Sequence, residues 1–430
     1  MKTVVGEIWP VDTLEKESGM EDAMGNGSAE APDVSQWGRL EITLDSSKRY
    51  DNPLQEVAVQ VLFKAPSESL YTVLAFWDGG VIWRARFSPD EEGEWAYTTF
   101  CSDAENGGLH NREGAFTVGP PDSRTVFDVH GPVEVSQDRH HFEHADGTPF
   151  FWMADTAWNG ALRSTDDEWA FYVSERVRQQ FTAVQWVATQ WRAAPDGDVD
   201  GEVAFTGKEE IAVNPAFFQR LDRRQEDLYQ AGLLSVPVLL WAIGSGQDSE
   251  INPGFSLPED QAVLLTEYMV ARWACYPVVW VLGGDGNYQG ERAVRWHRIG
   301  QKVFGKGIHA PVAMHCAGRH WVMEEFRDEA WMDVLGYQSG HGDGEEVLTW
   351  LVKGPPAQDW KQVPRQFYLN MEPCYENHVA YQSKKPHDAH SVRRAMYSSL
   401  LNAPTAGVTY GGHGVWGWDD GSGPPVAHPR

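Results

Sequence analysis

The chain has 430 residues, 42% apolar and 23% charged, as in an ordinary globular protein long enough to hold more than one core. Its net charge of -27 disfavours nucleic acid and anionic membranes as partners, because phosphates need Lys and Arg to neutralise them. Cys101, Cys275, Cys316 and Cys374 are scattered without metal-ligand spacing, so neither a disulfide framework nor a zinc site is indicated.

The first residues, MKTVVGEIWPVDTLEKESGMED, contain no sustained apolar run of the signal-peptide kind. No segment reaches the roughly 18 apolar residues that span a bilayer. Cytoplasmic residence is the expectation, or secretion if a leader has been removed. Residues 1–33 read as a flexible acidic segment rich in Gly, Ser and Ala.

From residue 34 to 119 the pattern turns to short alternating segments, RLEITL, QEVAVQVLF, YTVLAFWDGGVIWRARFSP and GEWAYTTF, bounded by Gly, Pro, Asn and Asp. This predicts a small all-β sandwich, with a hairpin turn at DGG (78–80). A Pro-rich stretch over 119–132 separates this module from the remainder of the chain.

From residue 130 to 430 strands and helices alternate. Strands are predicted at 149–154, 181–188, 233–241, 277–283, 310–315, 331–336, 366–371 and 405–410. Thr165 to Glu168 forms a capping box, Asn214–Pro215 and Pro258 open two further helices, and Gly232 closes the first of these two. Eight βα units argue for an α/β fold of the (β/α)8 TIM-barrel type rather than an open sheet. No Gly-rich dinucleotide fingerprint stands after the first strand.

A barrel brings the C-terminal ends of its strands to one face, and there the chemistry-bearing residues collect. In order they are Asp155 and Trp158, Gln190 and Trp191, Trp241, Asp285, His315, His341, Glu372 and Tyr375, then Tyr410 and Trp416. This ring of carboxylates, aromatics and imidazoles suits a neutral polyol, and hardly any Lys or Arg lies in it. Twenty tryptophans strengthen the hint, since indoles stack on sugar rings, although Trp fills cores equally well.

Asp285, in VVWVLGGDGNY, and Glu372, in QFYLNMEPCYEN, stand after buried-looking runs on strands that face each other across the mouth. Glycosidic cleavage needs such a pair, one carboxyl protonated and one ionised. His315 or Tyr410 could keep the second ionised. Asp285 could equally sit in a plain turn, Glu376 rivals Glu372, and Asp155 could merely cap a turn. No pair of histidines has the spacing of a metal ligand set, so no metal or cofactor is assigned. Oligosaccharides or glycosides are the expected substrates. The competing readings are a catalytically silent carbohydrate-binding barrel and a metal-dependent hydrolase.

FFWMADTAWNG, NPAFFQRLDRRQEDLYQAGL, VVWVLGGDGNY, DVLGYQSGHGDG, NMEPCYEN and GVTYGGHGVWGW, in that order, resemble the barrel of the apiosidase-like glycoside hydrolases, the family 140 kind. The β module resembles the small domain that precedes such barrels. The resemblance implies a retaining mechanism without a cofactor on plant-type glycans, with Asp285 as acid/base and Glu372 as nucleophile. Many related barrels carry Asn-Glu after strand four, where this chain has the shorter Asp. It also implies a closing helix, and often a further β domain, after the eighth strand.

Overall fold

The computed structural model describes residues 33–419 apart from Gln247, Ile308 and Pro364. The expected flexible segment over 1–32 and a closing helix beyond residue 419 therefore lie outside the described residues. The chain divides into two units, Met1–Ser123 with Val270–Cys275, and Arg124–Met269 with Tyr276–Arg430. Among the described residues no helix is long and apolar enough to cross a membrane.

The first unit is antiparallel except for one short edge pairing. Val59–Lys64 pairs with both Leu70–Trp77 and Gly93–Cys101, and Gly93–Cys101 pairs with Glu113–Gly119. Leu70–Trp77 continues into Ile82–Phe87, which pairs with Leu40–Asp45, so the sheet folds over on itself. The sequence alternates because one side of each strand is buried: Phe63, Phe87, Trp95 and Phe116 pack together inside, Phe63 stacking on Phe87 at 4.4 Å. The run QEVAVQVLF is not one strand, since Pro53–Glu56 forms a helical turn before it. At the hairpin Gly79 and Gly80 take positive φ, which only Gly adopts without cost.

The second unit is the predicted barrel. Its strands are β1 (Trp152–Thr156), β2 (Ala183–Val187), β3 (Leu234–Trp241), β4 (Trp280–Gly286), β5 (Val312–Cys316), β6 (Val334–Gln338), β7 (Phe367–Glu372) and β8 (Gly407–Gly411). All neighbouring pairs from β1 to β7 are parallel, and β8 pairs in parallel with β1. The seam between β7 and β8 closes just past the strand ends, where Glu376 and Gly412 form a parallel bridge. Continuous apolar runs form these strands because both faces are covered.

Helices α1 (Asp166–Arg178), α2 (Pro215–Gln230) and α3 (Glu259–Trp273) come after the first three strands. The capping box holds, with Thr165 Oγ1 accepting from Glu168 N–H while the Glu168 carboxylate accepts from Thr165 N–H. Such a cap stabilises a helix by about 1 kcal/mol. Below the strands, the small sheet Val133–Val135, Phe142–His144 and Pro149–Phe150 plugs the barrel floor, Phe142 packing on Trp152 and Phe367.

Candidate active site

β1 runs through Thr156, two residues further than the sequence suggested, and this decides where Asp155 points. Successive side chains alternate across a strand. Thr156 faces the barrel interior, where Gln185 Nε2 donates to its hydroxyl. Asp155 therefore faces the helix layer, fully buried, accepting from Arg176 Nε at 2.6 Å and from the Tyr172 hydroxyl at 2.7 Å. It ties α1 to β1 and does not line the mouth. Tyr410 is displaced for the same reason. Within β8, Thr409 accepts from Trp152 Nε1 inside the barrel, while Tyr410 faces outward and donates to Glu376, not Glu372. Gln190 is also occupied: its amide accepts from Ala204 N–H and donates to the Phe205 carbonyl, pinning the loop after β2.

Asp285 and Glu372 do converge. Asp285 lies on an irregular end of β4, where the register with β5 shifts twice. Its φ of 46° is left-handed, a conformation that Asp tolerates at a cost of about 1–2 kcal/mol. Gly284 beside it is required by packing, since a Cβ there would stand 2.6 Å from both Trp241 and Val238. Glu372 ends β7, only 6% exposed.

One imidazole lies between the two acids. The Asp285 backbone N–H donates to His315 Nδ1 at 3.1 Å, and His315 Nε2 stands 3.3 Å from Glu372 Oε2, off the line of a good hydrogen bond. The other carboxylate oxygen of Glu372 meets His341 Nε2 at 2.9 Å. The Tyr375 hydroxyl accepts from Trp158 Nε1 at 3.0 Å, which leaves its own proton for Glu372. Gly411 makes room for that tyrosine, because a Cβ there would collide with its ring.

These surroundings drive the carboxyls in opposite directions. Burial, and then the charge of Glu372, push Asp285 up to about 6, with His315 and then Arg192 partly offsetting them. Burial also works against the charge of Glu372, but the imidazoles of His315 and His341 against its two oxygens outweigh it and hold this carboxyl well below the usual range. Burial followed by the charge of Glu372 raises Tyr375, which keeps its proton. At mildly acidic pH the pair therefore holds one proton, on Asp285.

The tryptophans form a wall rather than open platforms. Trp158 and Trp241 are 2% exposed and flank His315 at 5.7 and 6.3 Å, and Trp191 packs behind Trp241 at 4.4 Å. Trp191 Nε1 donates to Asn159 Oδ1, a structural bond, while Trp241 Nε1 has no hydrogen-bond partner among the described residues. Trp416 is buried, and its carbonyl accepts from Asn159 N–H, joining the loops after β8 and β1.

Sequence reasoning missed Arg192. Its guanidinium lies 4.0 Å from Asp285 Oδ2, so the mouth is not free of cations. The only signal was adjacency to Trp191. Among the described residues no group of three or more His, Cys, Asp or Glu side chains is placed to hold a metal ion.

Comparison with solved structures matches this architecture to glycoside hydrolases. A putative glycoside hydrolase from Bacteroides vulgatus superposes with a TM-score of 0.68 and 20% identity, covering 88% of this chain and 72% of that one. A family 5 glycoside hydrolase from the same organism gives 0.60 and 19%, covering 72% and 67%, and a further glycoside hydrolase gives 0.60 and 20%, covering 72% of each. At these identities the likeness speaks for the fold. No curated protein matches. Residues 33–102 match a domain of unknown function, DUF5060. Residues 136–428, over half the chain, match the apiosidase-like catalytic domain, and the protein belongs to that glycoside hydrolase family.

Proposed function

We propose that the protein is a retaining glycosidase that cleaves O-glycosidic bonds in oligosaccharides or glycosides of plant type. Asp285 is the acid/base and Glu372 the nucleophile. The reading rests on one observation above all, two carboxyls placed either side of one imidazole, in surroundings that push their pKa values apart. A protonated Asp285 delivers its proton to the departing oxygen. The ionised Glu372 attacks the anomeric carbon and forms a glycosyl ester.

That ester has no charge, so one cause of the raised Asp285 value vanishes as it forms. Asp285, left without its proton by the first step, then stays ionised more readily and serves as base for the incoming water. The same pair thus supplies an acid for the first step and a base for the second. Trp241 Nε1–H, unpartnered among the described residues, is available to a sugar hydroxyl, and Trp158 holds Tyr375 against the nucleophile.

The test is a panel of aryl furanosides and pyranosides together with pectic oligosaccharides, the released anomer being monitored by 1H NMR. Release of the anomer that the substrate carried supports the reading. Release of the opposite anomer refutes retention, and binding without turnover throughout favours a silent carbohydrate-binding barrel.

A further inference from the structure

His315 has one nitrogen against each catalytic residue, and the donor at one of them fixes its chemistry. Asp285 N–H is a donor that points at Nδ1, so Nδ1 carries a lone pair and no proton. The ring proton then resides on Nε2, which faces Glu372 Oε2. The ring is fully buried between Trp158 and Trp241, with Asp285 and Glu372 against its two nitrogens, Arg192 beyond Asp285 and His341 on the far oxygen of Glu372. Asp285 meanwhile holds a left-handed backbone conformation, and that conformation presents its N–H to the ring.

We propose that His315 is a positioning residue locked as the neutral Nε2–H tautomer, coupling the backbone of the acid/base to the carboxylate of the nucleophile. Through Nδ1 it holds the strained Asp285 in place. Through Nε2–H, 3.3 Å from Glu372 Oε2, it faces that carboxylate without adding a positive charge. That matters when Glu372 attacks. An imidazolium would stabilise the carboxylate that has to be consumed, whereas a neutral donor lets its charge disappear into the ester. The inference deepens the retaining reading and rests on it for its kinetic part.

The direct test is 15N NMR of the histidine-labelled wild-type protein, with His315 identified by the scalar coupling across the Asp285 N–H to Nδ1 hydrogen bond. The expected result is an unprotonated Nδ1 and a protonated Nε2. An imidazolium, or a proton on Nδ1, overturns the proposal. This readout needs no turnover, so it stands even if the glycosidase reading fails.

The kinetic test separates the two contacts. His315→Gln can donate to Glu372 but has no acceptor placed for the Asp285 N–H, and His315→Asn has the reverse. On a dinitrophenyl glycoside, whose leaving group needs no proton, His315→Gln keeps kcat/KM near the wild type while kcat and KM fall together, because the misplaced Asp285 is slow to activate the water that resolves the glycosyl ester. On an alkyl glycoside it loses about 100-fold in kcat/KM, the scale of a misplaced catalytic group. His315→Asn loses a comparable factor in kcat/KM on both substrates. Equal losses for both variants on both substrates, accompanied by a raised KM, mean a merely structural histidine and refute the coupling.

Discussion

The charge of Glu372 is predicted to be what keeps Asp285 protonated, and Glu372→Gln tests it with almost no change in shape. Asp285 rises from 3.8 to about 6, a differential of about 3 kcal/mol between its two protonation states. Burial and Glu372 drive that rise, in that order, while His315 and then Arg192 at 4.0 Å oppose it. Removing the charge of Glu372 takes away the second of these causes, so the substitution should lower the Asp285 value below about 6, burial keeping part of the rise. The assay is a 13C-carboxyl titration of aspartate-labelled Glu372→Gln, with Glu372→Gln/Asp285→Asn assigning the signal. An Asp285 that still titrates at 6 or higher refutes the argument, because burial alone would then account for the shift.

The same geometry makes further predictions. The rate profile should fall as pH rises through about 6, where Asp285 loses the proton it must deliver, and stay flat towards acid until Glu372 protonates far below the usual range; a profile rising through pH 6 contradicts this assignment. Because the folded Asp285 retains its proton where the unfolded chain has lost it, its contribution weakens between pH 3.8 and about 6 and is worst above that. Asp285→Asn should then stabilise the fold by up to about 3 kcal/mol at pH 7.5 and hardly at all near pH 4, as read by urea denaturation at both values. Asp155→Ala strands Arg176, whose side chain is 12% exposed, and should cost about 3–5 kcal/mol of stability while leaving KM unchanged. A raised KM with normal stability would return Asp155 to the substrate site.

The barrel was legible because strands buried on both faces must be written as continuous apolar runs, such as VVWVL before Asp285. The carboxylates and imidazoles that stand at such run ends, Asp285, His315, His341 and Glu372, could be read from position alone. Side-chain direction could not. Asp155 and Tyr410 look like strand-end residues, but β1 and β8 extend past them, and alternation turns both toward the helices. Arg192 carries no periodic signature, and only the fold shows it beside Asp285. The Asp285 N–H to His315 Nδ1 bond depends on a left-handed backbone that GGDG permits without dictating.

The division of labour between the two acids is tested most directly by adding azide to Asp285→Ala and Glu372→Ala acting on a dinitrophenyl glycoside that the wild type hydrolyses. The account predicts a glycosyl azide of unchanged anomeric configuration from Asp285→Ala, since the glycosyl ester still forms on Glu372, and one of inverted configuration from Glu372→Ala. The reverse pattern, or no azide product from either variant, contradicts it.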